Sequence, residues 1–277
     1  KYKKLDELVF ESILKKIVAY NQSAESIFSL SHNFFSDYSS EITDTALLKV
    51  AYLQQARKGE SFHFDFDGKE LFTLLERDSA FLLEYLEEVY GNSHHVSIHS
   101  SHPRLSIIWA LENHMTLLEE SLDFIAKTDP YPLLGECFFN AFFEHMTPDQ
   151  KEKAHNFLLS NVDRYAHEAV KVGILFNVVA NSTNEIFESC FNIYLKKNQS
   201  LEDFKSIDWF KSGGIGHGAT IFGDINAAKW TKLLNLVENL DLGFKTIPIT
   251  SYIESRIDSE KQFADNERRR MFLHPRW

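Results

Sequence analysis

Apolar residues recur at the three-and-four spacing of an amphipathic helix along nearly the whole of this chain, and that periodicity restricts it to helical architectures. At the start, Leu5, Leu8, Val9, Leu14, Ile17 and Val18 share one stripe. Further helices are expected at about 23–37, 44–58, 68–77, 79–90, 103–127, 132–145, 148–161, 163–180, 183–197, 224–240 and 248–272. Eleven glycines and six prolines in 277 residues are about half the usual supply. Sandwiches, barrels and Rossmann-type domains consume glycine at their turns, so this scarcity argues against all three.

Start and stop signals punctuate the helices. Asp67 with Glu70, Thr147 with Pro148 and Gln150, and Ser182 with Glu185 each read as an N-cap with a partner three residues on. Gly59 and Gly91 stand just past helical runs, where a left-handed residue is wanted. Connections of a few residues force neighbouring helices into antiparallel hairpins. The 183–197 helix carries one stripe of Ile186, Cys190, Ile193 and Tyr194 and a second of Phe187, Phe191 and Leu195, while 132–145 is apolar nearly all round. Two buried faces suit a helix between two neighbours. The expected fold is therefore all-α: stacked antiparallel hairpins forming a degenerate α-solenoid of the TPR or HEAT kind, with a compact irregular bundle as the alternative. Residues 1–208 would form the helical array, 209–223 a Gly-rich connector and 224–277 a terminal hairpin cap.

The charge balance, 29 Lys and Arg against 40 Asp and Glu for a net −11, disfavours direct binding to nucleic acid. Cys137 and Cys190 lie in apolar helical contexts and read as free thiols of a reducing compartment. The opening KYKKLDELVF has no apolar leader core and no run is long enough to span a membrane. A cytoplasmic location is expected. The missing initiator Met suggests one piece of a longer protein.

Four stretches invite chemical readings. His94, His95, His99 and His102 crowd a polar loop, but a structural zinc site usually draws paired ligands from two separated elements. His63-Phe64-Asp65-Phe66-Asp67-Gly68 resembles the front of a calcium loop; its register puts His63 in the first ligand position and Leu74 where a bidentate Glu belongs. Gly213 to Thr220 reads G-x-x-x-x-G-A-T, with Ala219 in place of the phosphate-binding lysine. Arg269 and His274 have the R-x4-H spacing of helical HEPN ribonucleases, but Arg270 and Pro275 flank them; a solvated basic helix end explains them as well. No catalytic residue, metal or cofactor is expected within 1–277. Twenty-four phenylalanines, ten tyrosines and four tryptophans favour protein recognition instead. The expected partner-binding residues are Trp209, Phe210 and Phe222, which flank the Gly-rich connector, together with His217 inside it. The competing role for these aromatics is to pin the terminal hairpin.

Three stretches carry a family resemblance. Leu105-Ser106-Ile107-Ile108-Trp109-Ala110-Leu111 resembles a recurring "LsxLWxL" helix start. Asn198-Gln199-Ser200-Leu201-Glu202-Asp203-Phe204 resembles an "NxSxEDFK" connector, and Trp230 with Tyr252-Ile253-Glu254-Ser255-Arg256-Ile257 a closing "W…YIExRI" hairpin. In this order, over about 100–277, they resemble the C-terminal helical-repeat region of bacterial antiviral STAND-type P-loop NTPases. The family's Gly-Ser-x-Val-Pro element is replaced here by Gly216-His217-Gly218-Ala219-Thr220. The resemblance implies a non-catalytic sensor that binds a phage structural protein, such as portal or terminase. Binding would be relayed to an upstream ATPase and effector, which would supply ATP, Mg and homo-oligomerisation. A self-standing helical enzyme such as a HEPN-like RNase, or a helical scaffold or adaptor, is the alternative.

Overall fold

The computed structural model describes residues 7–23, 42–56, 65, 67–91, 104–128, 139–207, 209–210 and 221–273. Among them every regular element is helical, so the chain is all-α as its periodicity predicts. The helices are α1 (Glu7–Ser23), α2 (Thr45–Ala56), α3 (Lys69–Arg77), α4 (Phe81–Leu86), α5 (His114–Thr128), α6 (Pro148–Tyr165), α7 (Ala169–Ala180), α8 (Asn184–Lys197), α9 (Leu201–Ser206), α10 (Phe222–Asn239) and α11 (Ile247–Leu273). No helix among the described residues is long and apolar enough to cross a membrane. The expected helix at 23–37, the Gly59 stop, the histidine-rich loop, Cys137 with the front of 132–145, the Gly213–Thr220 loop and His274 lie outside the described residues. The chain divides into two compact units, Lys1–Ala154 and His155–Trp277, and the division falls within α6.

In the first unit, Phe10, Leu14 and Val18 of α1 are buried, and α2 contributes Leu48, Ala51 and Tyr52. The buried Gln54 amide donates to the Val18 carbonyl at 3.1 Å, tying α2 to α1. Lys49 lies between Asp78 and Glu84, 2.6 Å from each, with its ammonium over the Phe81 ring. Burial works against its charge, but the two carboxylates hold its pKa above the ordinary lysine value.

The helix expected at 103–127 is broken. Leu105–Ala110 forms a 3-10 turn, Leu111 is extended (φ −75°, ψ 147°), and α5 starts at His114. Ile107, Ile108 and Trp109 have only modest helix propensity, and tertiary anchors decide the outcome. The Trp109 indole N–H donates to the Phe142 carbonyl at 2.7 Å, and Lys153 caps the Trp109 carbonyl at 3.3 Å. The described end of 132–145 is a short 3-10 turn, Ala141–Phe143, before a left-handed His145. Phe139 and Phe142 are fully buried there.

In the second unit every residue from Val172 to Val179 is buried, so α7 lacks a solvent face beyond its first turn, where Val170 is exposed. The helix expected at 163–180 is interrupted at Ala166–Glu168, and Asn198 donates to the freed Ala166 carbonyl at 2.7 Å. The helices α10 and α11 form a close antiparallel hairpin. The Gly223 N–H donates to the Glu267 carboxylate, Asn226 donates to Glu260, and Trp230 meets Tyr252.

Caps were partly legible. Thr147 and Gln150 form the reciprocal capping box, each backbone N–H bonding the other's side chain at 2.8 and 3.4 Å. At α8 the cap is Thr183, not Ser182, whose hydroxyl turns back to the Val178 carbonyl. At α3 the capping carboxylate is Asp65, not Asp67: Asp65 accepts the Glu70 and Leu71 N–H groups, while Asp67 is exposed.

Gly223 permits a close approach of α10 and α11. A Cβ there would lie 2.4 Å from the Glu260 carbonyl oxygen and 2.5 Å from the Ala264 nitrogen, both backbone atoms. Gly223→Ala must force α10 and α11 apart, and urea denaturation is expected to show a loss of about 1–3 kcal/mol.

Candidate functional site

The connector and closing-hairpin motifs meet in the second unit through Phe204, which packs on Trp209 on one side and on Tyr252 on the other. Short-range chemistry builds the approach to it. Asn198 is buried at the end of α8, where its amide donates to Ala166 and to Asp203 at 2.7 and 2.8 Å, and its oxygen accepts the Ser200 N–H at 2.8 Å. Ser200 caps α9 by accepting the Asp203 N–H. This knot fixes the direction of α9 and points Phe204 inward, where it is fully buried.

Trp209 is 2% exposed. Its indole N–H donates to the Phe204 carbonyl at 2.9 Å. Its ring lies 4.6 Å from that of Phe204, 4.7 Å from Phe176, 5.3 Å from Phe191 and 5.6 Å from Tyr194, between centroids. The edge-on and tilted pairings are those favoured by the aromatic quadrupole. Burial also raises the Tyr194 hydroxyl above its ordinary pKa, with Asp203 adding to the effect, and pushes the Cys190 thiol up to about 12. Cys190 is thus a protonated core residue and not a nucleophile.

From Phe204 the aromatic contacts continue outward. Phe204 meets Tyr252 at 6.2 Å, Tyr252 meets Trp230 at 5.9 Å, and Trp230 meets Phe210 at 5.0 Å, all edge-on. A cation stands over each outer ring: Lys205 over Tyr252, Arg256 over Trp230 and Lys229 over Phe210, at 5.2, 5.5 and 5.8 Å. Glu260 pairs with Arg256 at 3.4 Å. The outcome is an aromatic ridge that runs from the buried Phe204 and Trp230 to the half-buried Tyr252 and Phe210, with three cations over its outer rings on a chain of net charge −11.

Of the residues expected to meet a partner, Trp209 therefore sits in the core, Phe210 and Phe222 are half-buried, and His217 lies outside the described residues. The cations Lys205, Lys229 and Arg256 were not anticipated, because their spacing in sequence gives no sign that they share a surface. Phe244 was missed as well. It stands 89% exposed at the tip of the α10–α11 hairpin, beside Ile247 at 52%. Its signal was an aromatic between Gly243, at φ +67° with open space around it, and Lys245.

Among the described residues no three or more His, Cys, Asp or Glu side chains gather to hold a metal ion. Arg268 is held by Asp224 and Asp265, whereas Arg269 on the next position of α11 is exposed. Trp109 of the first motif belongs to the other unit, where it serves the core described above.

Two truncations separate core from surface. Trp209→Ala is expected to cost about 3–5 kcal/mol of stability, and Phe244→Ala to stay within about 0.5 kcal/mol, both read from urea midpoints.

No family model matches the chain, and no curated protein or solved structure matches it either.

Proposed function

We propose that this chain is the non-catalytic, protein-recognising sensor region of a larger antiviral defence NTPase of the STAND kind. It binds a phage structural protein such as portal or terminase in the cytoplasm and relays that event to an upstream ATPase and effector. The observation that carries the reading is the aromatic ridge. Residues from two of the motifs behind the resemblance, Phe204 of the connector and Trp230, Tyr252 and Arg256 of the closing hairpin, meet there with Phe210 at the rim. Partly buried aromatic and arginine side chains are the groups that dominate protein–protein binding energy.

In this reading Trp209 sets the shape of the ridge from beneath and Phe210 is its accessible anchor, while Phe222 and His217 are further partner-binding residues of the connector stretch and its edge. Phe244 offers a second contact at the hairpin tip. Net −11 favours a target with basic patches and gives salt-sensitive association, while the lysines and Arg256 around Phe210 select acidic groups locally. The fragment itself needs no cofactor; ATP and Mg belong to the upstream domain, and so does homo-oligomerisation.

The test is co-purification of the full-length protein with candidate phage portal and terminase proteins, paired with ATPase assays. Phe210→Ala is expected to weaken target binding at least about tenfold, with circular dichroism unchanged, as for a typical binding hot spot. Binding and activation that survive deletion of residues 1–277 contradict the sensor reading.

A further inference from the structure

The two ends of the α10–α11 hairpin are closed by different chemistry. Toward the tip the buried residues are large: Trp230, Leu233 and Val237 on α10, and Ile249, Ile253 and Ile257 on α11. Toward the start of α10 they are small. Gly223 and Ala227 are buried on α10 and Ala264 on α11, while Phe222 is half-buried and Phe263 is 47% exposed. Glycine and alanine remove little apolar surface from water, so this end gains little from the hydrophobic effect.

Polar contacts from α11 take over there. Ile221, at the N-cap of α10, has no side-chain hydrogen bond to offer the helix start. The Gly223 N–H donates instead to the Glu267 carboxylate at 2.9 Å, a cap borrowed from 44 residues along the chain. Asp224, in the same turn, accepts the Arg268 guanidinium with both oxygens at 2.7 and 2.5 Å, and Asp265 accepts from the same guanidinium at 2.8 Å. Asn226 donates to the Glu260 carboxylate at 3.2 Å. Gly223 makes the arrangement possible, because without a Cβ the turn can sit on the backbone of Glu260 and Ala264. A carboxylate beside the first N–H groups of a helix is favoured by the helix dipole. The Arg268 and Asp224 side chains are 41% and 49% exposed, however, and exposed pairs of this kind are weak and screened by salt.

We propose that the last turns of α11 are a strap: Glu260, Glu267 and Arg268 hold the first turn of α10, and this turn opens by itself while the tip half of the hairpin stays packed. A helix that loses its cap frays from that end, and sub-global opening starts where apolar burial is least. The strapped turn carries Phe222. Closed, it holds the Phe222 ring half-buried; open, it releases that ring from the hairpin. The strap stands on the hairpin contacts alone. Only its consequence for partner binding rests on the sensor reading, in which Phe222 is a partner-binding residue.

Native-state hydrogen exchange of the 277-residue chain tests the strap, in the native sequence and in Glu267→Ala. No partner is present, so a failure here is distinct from a failure of the sensor reading. In Glu267→Ala the Asn226 and Ala227 amides should exchange about two- to thirtyfold faster, the factor that goes with losing an N-cap, and the Val237 amide should keep its native rate. Unchanged exchange at Asn226 and Ala227 overturns the strap. Equal acceleration at Val237 overturns it too, because the hairpin would then open as one piece. If Glu267→Ala does not fold, salt decides on the native chain. Between about 0.1 and about 1 M NaCl the Debye length shrinks from about 10 to about 3 Å, and Asn226 and Ala227 should lose protection relative to Val237. A constant ratio overturns the strap.

Discussion

The indole of Trp209 has to be buried and its N–H satisfied, and much of residues 155–277 is arranged to do both. A tryptophan removes roughly 150–250 Å² from water, worth about 4–6 kcal/mol at about 25 cal/mol/Å². That is a large share of the stability of an ordinary domain. The acceptor for its N–H is the Phe204 carbonyl, which faces the ring because α9 is capped by Ser200 and oriented by Asn198. The walls are Phe176 of α7 and Phe191 and Tyr194 of α8. Phe204 then passes the packing on to Tyr252 and so to the terminal hairpin. A polar connector motif and an aromatic hairpin motif, far apart in sequence, are thus two parts of one packing solution.

The same arrangement explains where a partner surface could form. Burial is nearly complete at Trp209 and only partial at Phe210, whose ring meets Trp230. Cations stacked over the outer rings keep these apolar faces from being bare in water, and they add directional charge that net −11 would not suggest. Three cations over neighbouring rings are a local departure from the chain's average charge, although Arg256 is also paired with Glu260.

What the sequence disclosed depended on how local the cause was. Helix type and the span of α8, α10 and α11 followed from apolar spacing over several turns. The Thr147–Gln150 box was legible because both partners lie within one turn. The break at Leu111 was not, since it depends on Phe142 and Lys153, some thirty to forty residues away. Asp67 was the nearest acid to α3, but a turn carried Asp65 into the capping position, and the same turn placed it against Glu70. No periodicity encodes that meeting. Trp209 was legible as an important aromatic but not as a buried one, because its neighbours Asp208 and Phe210 and the glycines beyond them give no apolar stripe to read. The cations of the ridge come from α9, α10 and α11, and only the packing of those helices brings them together.

The most direct test of the aromatic hub is native-state hydrogen exchange on Trp209→Leu, compared with the native chain. If Trp209 joins the connector to the closing hairpin, amides of α8 and of α11 near Tyr252 should lose protection together and by similar free energies. Loss confined to α8, with α10 and α11 exchanging as in the native chain, would mean that the hairpin stands on its own and that the hub does not unite them.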